Sequence, residues 1–265
     1  MASTTFTDRQ TLVTAAWAND VNTVVYKGVI DVRLEPYSII PNTATTYTTQ
    51  LQAAITYAKA NGFLVLLPPG VIKTGQLNTS GGAAAWGMHG AGKYLTTLKH
   101  IDGTNTLIEG GSGSSVPYFL QGFGVNCQRS VYGGGNQGIA IADTSGFLAK
   151  DLYVTDYKET GILVYTATPN TYSNNRVEDC DTDGLGVGKA GIIIANMNSS
   201  GIRRCTAKGV VISPGMGVEL KNECHNSWIQ DCYVQDCFVG IGLGNDGTTA
   251  TCVRTCLISG CVTYN

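Results

Sequence analysis

Glu178-Asp-Cys180, Arg203-Arg-Cys205, Gln230-Asp-Cys232-Tyr-Val234 and Arg254-Thr-Cys256-Leu-Ile258 repeat one short phrase four times. Upstream, Gln121-Gly-Phe123-Gly-Val125 and Lys150-Asp-Leu152-Tyr-Val154 carry the same phrase with a larger apolar anchor. The anchors at 123, 152, 180, 205, 232 and 256 are separated by 29, 28, 25, 27 and 24 residues. A second phrase, glycine followed by alternating apolar residues, falls once in each interval: Gly138-Ile-Ala-Ile141, Gly161-Ile-Leu-Val164, Gly191-Ile-Ile-Ile194, Gly217-Val-Glu-Leu220 and Gly240-Ile-Gly-Leu243. Two short apolar strands per interval of roughly 25 residues describe a solenoid whose coils bury their apolar sides by stacking. Leucine-rich repeats keep a stricter spacing, and propeller blades need about 40 residues or more. Variable coil length favours an all-β, right-handed parallel β-helix, with loops bulging from the corners.

Stacking predicts ladders. Cys180, Cys205, Cys232 and Cys256 are expected on one interior line, with Cys237 and Cys261 as a shorter pair, because a free cysteine behaves as a small buried hydrophobe. Counting five residues past three of the glycines gives Asn196, Asn222 and Asn245, the pattern of a stacked amide ladder at a turn. Asp151, Asp179 and Asp231 share the position before the anchor and read as turn residues. The cysteine count is nine, an odd number, and no Cys-x-x-Cys pair occurs. A disulfide framework is therefore not expected. A zinc site from Cys224, His225, Cys232 and Cys237 lacks the usual close pairs. The expectation is no metal and no cofactor.

Working outward, Leu51, Ala54, Ile55 and Ala58 form one helical stripe, so a helix is expected over 49–61, with Thr49-Gln50-Leu51-Gln52 as a capping box and Gly62 as its stop. Phe63-Leu-Val-Leu-Leu67 then reads as a strand stopped by Pro68-Pro69-Gly70. Near the N-terminus, Trp17, Val21, Val24 and Val25 share a helical face. The domain reading is an N-terminal helical segment over 1–30, serving attachment and trimerisation, followed by the β-helix over 31–265. The last coil has neither successor nor cap, so the natural chain is expected to extend beyond residue 265. Charge is nearly balanced, 17 Lys+Arg against 19 Asp+Glu, which argues against nucleic acid as a partner. No apolar run of membrane-spanning length is present. Residues 1–5 lack the basic and apolar regions of a secretory signal.

Several of these stretches resemble a known family. Gln50-Leu-Gln-Ala-Ala-Ile-Thr-Tyr-Ala with Val65-Leu-Leu-Pro-Pro-Gly70, the glycine-rich Trp86-Gly-Met-His-Gly-Ala-Gly92, and Gly217-Val-Glu-Leu-Lys-Asn222 are similar to the pectate-lyase-like tailspikes and capsule depolymerases of bacteriophages. Thr14-Ala-Ala-Trp17-Ala-Asn-Asp-Val21-Asn resembles a linker near the N-termini of phage tail fibres and spikes. The resemblance implies a homotrimer on the virion tail, extracellular after lysis. It would be held to phage tail or adaptor proteins through residues 1–30 and directed at host surface polysaccharide. Many members also cleave that polysaccharide, as glycoside hydrolases or polysaccharide lyases; others only bind it. A second reading is a structural or adaptor component, with any chemistry beyond residue 265.

Glycan hydrolysis needs two carboxylates facing one groove. Strand alternation turns Glu219 outward between Ile193 on one coil and Gly242 on the next, with room above it for a sugar ring. Asp181 or Asp183, on the preceding loop, or Asp246, beyond the next coil, are its candidate partners; the competing reading is that Glu219 and Lys221 are ordinary strand residues. Tyr153, Tyr165, Tyr172, Tyr233 and Trp228 are candidate sugar-stacking rings. Gly87-Met-His-Gly-Ala-Gly92-Lys93-Tyr94 nearly spells a phosphate-binding loop, but Tyr94 stands where Ser or Thr must reach magnesium, so it is read as a glycine-rich turn.

Overall fold

A computed structural model describes residues 28–102, 105–114, 116–133, 137–212, 215–244 and 253–264. It is an all-β, right-handed parallel β-helix. The described helices are α1, Thr48–Asn61, and the one-turn α2, Arg129–Tyr132. The helix expected near the N-terminus, Asn245 and Asp246 lie outside the described residues. Strand Val29–Asp31 pairs with Leu64–Leu66 and so already belongs to the solenoid.

Among the described residues every strand pairing is parallel, and the strands form two sheets of fifteen and seven. Sheet 1, the larger, is bent in each coil into two limbs, for example Arg176–Glu178 and Asp181–Asp183. Sheet 2 closes the third side with strands such as Ala190–Ala195 and Met216–Lys221. The interior is a set of apolar lines. Ala149, Val177, Ile202 and Ile229 stack on one limb, and Ile162, Ile192 and Val218 on sheet 2, all fully buried.

The bends have a backbone cause. Gly122, Asp151, Asp179, Arg204, Asp231 and Gly260 occupy one register position on successive coils, and all have positive φ. A second such line runs through Gly146, Asn174, Ser199, Asn226 and Thr255. Gly, Asn and Asp dominate both lines because the left-handed region is cheapest for them. The aspartates flagged as turn residues are therefore bend residues. Asn196 and Asn222 are also left-handed. The Asn196 amide donates to Thr166 O at 2.8 Å, and its oxygen accepts the Glu223 N–H at 3.3 Å, tying the coils below and above.

The glycines that start the sheet 2 strands stack as well. A Cβ on Gly191 would lie 2.3 Å from the carbonyl oxygen of Gly217, and one on Gly217 would lie 2.8 Å from that of Gly240. Neither glycine has positive φ; the coils simply approach too closely there for a side chain.

The cysteine line needs one correction. Cys180, Cys205 and Cys232 stack as expected, but Gln230 pairs with Ser259 and Tyr233 with Val262, so the next rung is Cys261, not Cys256. The last step is 29 residues, not 24. Cys256 instead extends a buried polar line. There the Ser200 Oγ accepts the Asn175 N–H, the Ser227 Oγ accepts the Ser200 N–H, and the Ser227 N–H donates toward the Cys256 sulfur. Cys237 stacks on Val210 and does not pair with Cys261. No disulfide forms among the eight described cysteines. The thiols of Cys127, Cys205 and Cys232 are pushed well above their ordinary range, the first two chiefly by burial and Cys232 chiefly by its contact with Cys205.

Helix α1 lies across the N-terminal coils and buries Leu51, Ala54, Ile55 and Ala58. Its stop is the left-handed Gly62, whose N–H bonds Ala58 O. The capping box does not form. The helix starts at Thr48 without a side-chain cap, and Gln52 is spent elsewhere. Its amide donates to Asn78 O and its oxygen accepts the Asn78 N–H, so the helix satisfies a strand edge.

Candidate functional site

The outer surface of sheet 1 is read from the same register that fixes its interior. On the first limb, Phe119, Leu148, Arg176, Gly201, Trp228 and Leu257 form one outward line. Beside it run Gln121, Lys150, Glu178, Arg203, Gln230 and Ser259. On the second limb, Tyr153, Asp181, Thr206 and Tyr233 align, followed by Thr155, Asp183, Lys208 and Gln235. Aromatic and charged side chains thus recur along a continuous surface.

Two glycines in the first line are covered by rings from the next coil. A Cβ on Gly87 would lie 2.3 Å from the Phe119 ring, and one on Gly201 would lie 2.1 Å from the Trp228 indole. The rings lie against the backbone, and both residues are only partly buried. Phe63, Trp86, Phe119, Leu148 and Arg176 line a groove of about 390 Å³ along this side.

The carboxylates are held by cations. Asp179 takes a bidentate contact from Arg204 at 2.7 and 2.9 Å, which holds its carboxyl below the usual range. Asp183 meets Lys208 at 3.1 Å, and that hydrogen bond raises the lysine above its ordinary value. Asp181 meets Lys93 at 2.9 Å and accepts the Tyr94 hydroxyl at 2.7 Å. Burial works against the charge on Lys93, but Asp181 and Asp151 outweigh it and raise the group. The hydrogen bond to Asp181, aided by burial, raises Tyr94. Lys93 also donates to Asp179 O at 3.0 Å, so the glycine-rich loop straps across several coils. That loop is the stretch resembling a phosphate-binding motif; its lysine is engaged by the protein's own acids.

The predicted site residues fall into two groups. Asp181 and Asp183 stand together, two apart on a strand of sheet 1 and not on a loop, with Thr182 turned inward between them. Glu219 stands on sheet 2, between Ile193 and Gly242 as expected. It is only 5% exposed, and a Cβ on Gly244 would lie 1.9 Å from its Oε1. The space left by the glycines is filled by Glu219 itself. The structure does not bring Glu219 onto the sheet that carries the two aspartates. Among the named aromatics, Tyr153, Tyr233 and Trp228 belong to the sheet 1 surface, Tyr165 lies on sheet 2, and Tyr172 packs against the core. Arg176, Arg203, Phe119 and the Lys93–Tyr94 strap were not singled out from the sequence. The register of Lys150, Glu178 and Arg203 would have pointed to the first two. The strap spans 86 to 87 residues and leaves no local signal.

Residues 120–264 match the family model described as the right handed beta helix region. No curated protein matches the chain. Among solved structures, the pre-mature gene product 12 of bacteriophage phi29 superposes with a TM-score of 0.76 at 16% identity, over 94% of this chain and 35% of that one. A polygalacturonase from Erwinia carotovora ssp. carotovora gives 0.62 at 12% identity, over 84% and 68%. The tailspike gp49 of the Acinetobacter baumannii bacteriophage Fri1, a capsular polysaccharide depolymerase, gives 0.59 at 14% identity, over 89% and 50%. The chain spans about a third of the length of the phi29 protein. At these identities the likeness is one of fold.

Proposed function

The chain belongs to the right-handed β-helix family, and from that premise we propose that it is a phage tail component that binds host surface polysaccharide along the outer face of sheet 1. The observation that carries this reading is the alignment of Trp228, Tyr153 and Tyr233 with charged groups on one continuous surface. Sugars are bound by ring faces and by directed polar groups, and this surface offers both. Fold relatives that include a phage gene product, a tailspike depolymerase and a polygalacturonase support the same direction.

Binding is favoured over cleavage. Asp181 and Asp183 point the same way from one strand, about 7 Å apart by strand geometry, which is within the range for inverting hydrolysis. Each is occupied by a lysine, however. That pair is the basis for the second reading, a glycoside hydrolase. Assembly as a homotrimer on the virion tail, attached through residues 1–30, completes the proposal.

The test is incubation of the purified protein with host envelope polysaccharide, reading binding and release of reducing ends together. Binding without release is the expected result. Release that is lost in Asp181→Asn would establish the hydrolase. No interaction would favour an adaptor role. Light scattering in solution reports the oligomeric state, with three copies expected.

A further inference from the structure

Besides Lys150, five cations crowd the outer surface of sheet 1 and its bend, and they are not equivalent. Arg204, Lys208 and Lys93 are spent on Asp179, Asp183 and Asp181 at 3.1 Å or less. Arg176 and Arg203 are not. They approach Glu178 only at 3.9 and 3.5 Å, and among the described residues neither guanidinium donates a hydrogen bond. Contacts at these lengths attract by charge but satisfy no donor. The Arg203 Nε is buried and has no hydrogen-bond partner among the described residues.

Exposure separates the charges. The side chains of Arg176 and Arg203 are 55% and 40% exposed, against 12% for Glu178. The acid therefore lies beneath two more exposed guanidinium groups, which its charge orients. Their positions are one coil and two residues apart, about 8 Å between Cα atoms by strand geometry. Two long arginines can converge on one group across that span. Arg176 also closes the groove that contains the Phe119 ring. Beyond it on the same line, Trp228 lies over Gly201.

We propose that this surface selects an anionic glycan, whose sugar faces rest on Phe119 and Trp228 and whose carboxylate or phosphate is held by Arg176 and Arg203. A guanidinium fork matches both oxyanions in two-point geometry. The inference rests on the polysaccharide reading and narrows it to a charge class.

The experiment uses the full chain, fluorescently labelled, on an array of carboxylate-bearing, phosphate-bearing and neutral bacterial glycans. Binding to anionic members is expected, weakening as salt is raised. Arg176→Gln and Arg203→Gln should each cost about tenfold in affinity, with melting temperature and circular dichroism unchanged. Arg176→Lys should recover part of the loss. Which anionic members bind tells carboxylate from phosphate recognition. Equal binding to neutral glycans, unaffected by the arginine variants, would overturn the charge assignment and leave the polysaccharide reading standing. No binding to any member would overturn both.

Discussion

Sheet 1 and sheet 2 share one interior rule, stacked apolar lines with every coil in parallel register, yet their outer surfaces differ. Outside sheet 1, Lys150, Arg176, Glu178, Asp181, Asp183, Arg203 and Lys208 alternate with aromatic rings. Outside sheet 2, Ala140, Leu163 and Ile193 make an apolar line between Glu109 on one side and Glu219 on the other. A solenoid fixes its inward residues by packing and leaves the outward ones free to serve function. A charged, ring-bearing face suits a hydrophilic ligand, whereas Ala140 and Ile193 on sheet 2 are already buried within the chain. Sheet 2 in turn depends on close approach between coils, whereas the functional groups of sheet 1 sit on long side chains. Substitutions should therefore hurt stability on sheet 2 and binding on sheet 1.

The largest effect is expected in the glycine line of sheet 2. Gly191→Val places carbon 2.3 Å from the Gly217 oxygen and 2.7 Å from the Ala207 Cβ. Coils must separate to admit it, at a cost of about 3 kcal/mol or more. Gly186 is the contrast: it has φ of +74° and nothing within 4 Å of an added Cβ. Gly186→Ala should cost only the left-handed penalty of about 1 kcal/mol. Denaturant midpoints measure both, and equal losses would refute close approach as the reason for the line.

Next come the cysteines, which test the corrected register. Cys205→Ser puts a hydroxyl on an apolar interior line and should cost about 1–3 kcal/mol. Cys256→Ser continues a line already made of Asn175, Ser200 and Ser227 and should change stability by less than about 0.5 kcal/mol. If Cys256 were the rung after Cys232, the two substitutions would behave alike. The sequence showed the first four coil steps because each anchor follows a bend residue in a recognisable phrase. It misled at the fifth for a physical reason. In the last coils both bends of sheet 1 use a left-handed residue followed by a small inward one, so Thr255-Cys256 and Gly260-Cys261 look alike. The candidate site was less legible. Alternation turned Glu219 outward correctly, but nothing local shows that its carboxylate folds over Gly244. Asp181 and Asp183 were named, while the lysines that occupy them come from residue 93 and from the next coil.

A smaller effect separates the faces by pH. Asp179 has a lowered pKa from its Arg204 hydrogen bonds, so its contribution is present above the unfolded carboxylate value of about 4 and is lost as pH falls through the folded value. Lys208 has a raised pKa from Asp183, so its contribution is full below the unfolded lysine value of about 10.4 and is lost as pH rises through the folded value. Stability should therefore be flat between these limits. Arg204→Gln should shrink the acid-side loss of melting temperature, and Lys208→Gln the alkaline-side loss. The cation of each pair is well exposed, Arg204 at 42% and Lys208 at 47%, so solvent screening keeps the changes small.

The smallest effect concerns Lys93, the one cation of this surface that reaches it from a distant coil. Its ammonium touches Asp151, Asp181 and Asp179 O. Three contacts suggest a strong clamp, but the partner carboxylates keep access to water, and an ion pair in that setting contributes less than about 1 kcal/mol. Lys93→Met should therefore barely shift the melting temperature. Its consequence lies in the binding face: Asp181 loses its nearest cation, and the surface gains a net negative charge beside Tyr153. Affinity for an anionic glycan should fall although Lys93 donates nothing to the ligand. Lys93→Arg should restore it. A stability loss approaching that of Gly191→Val would instead make the strap a structural pin, and the division between a packed sheet 2 and an adaptable sheet 1 would fail at that loop.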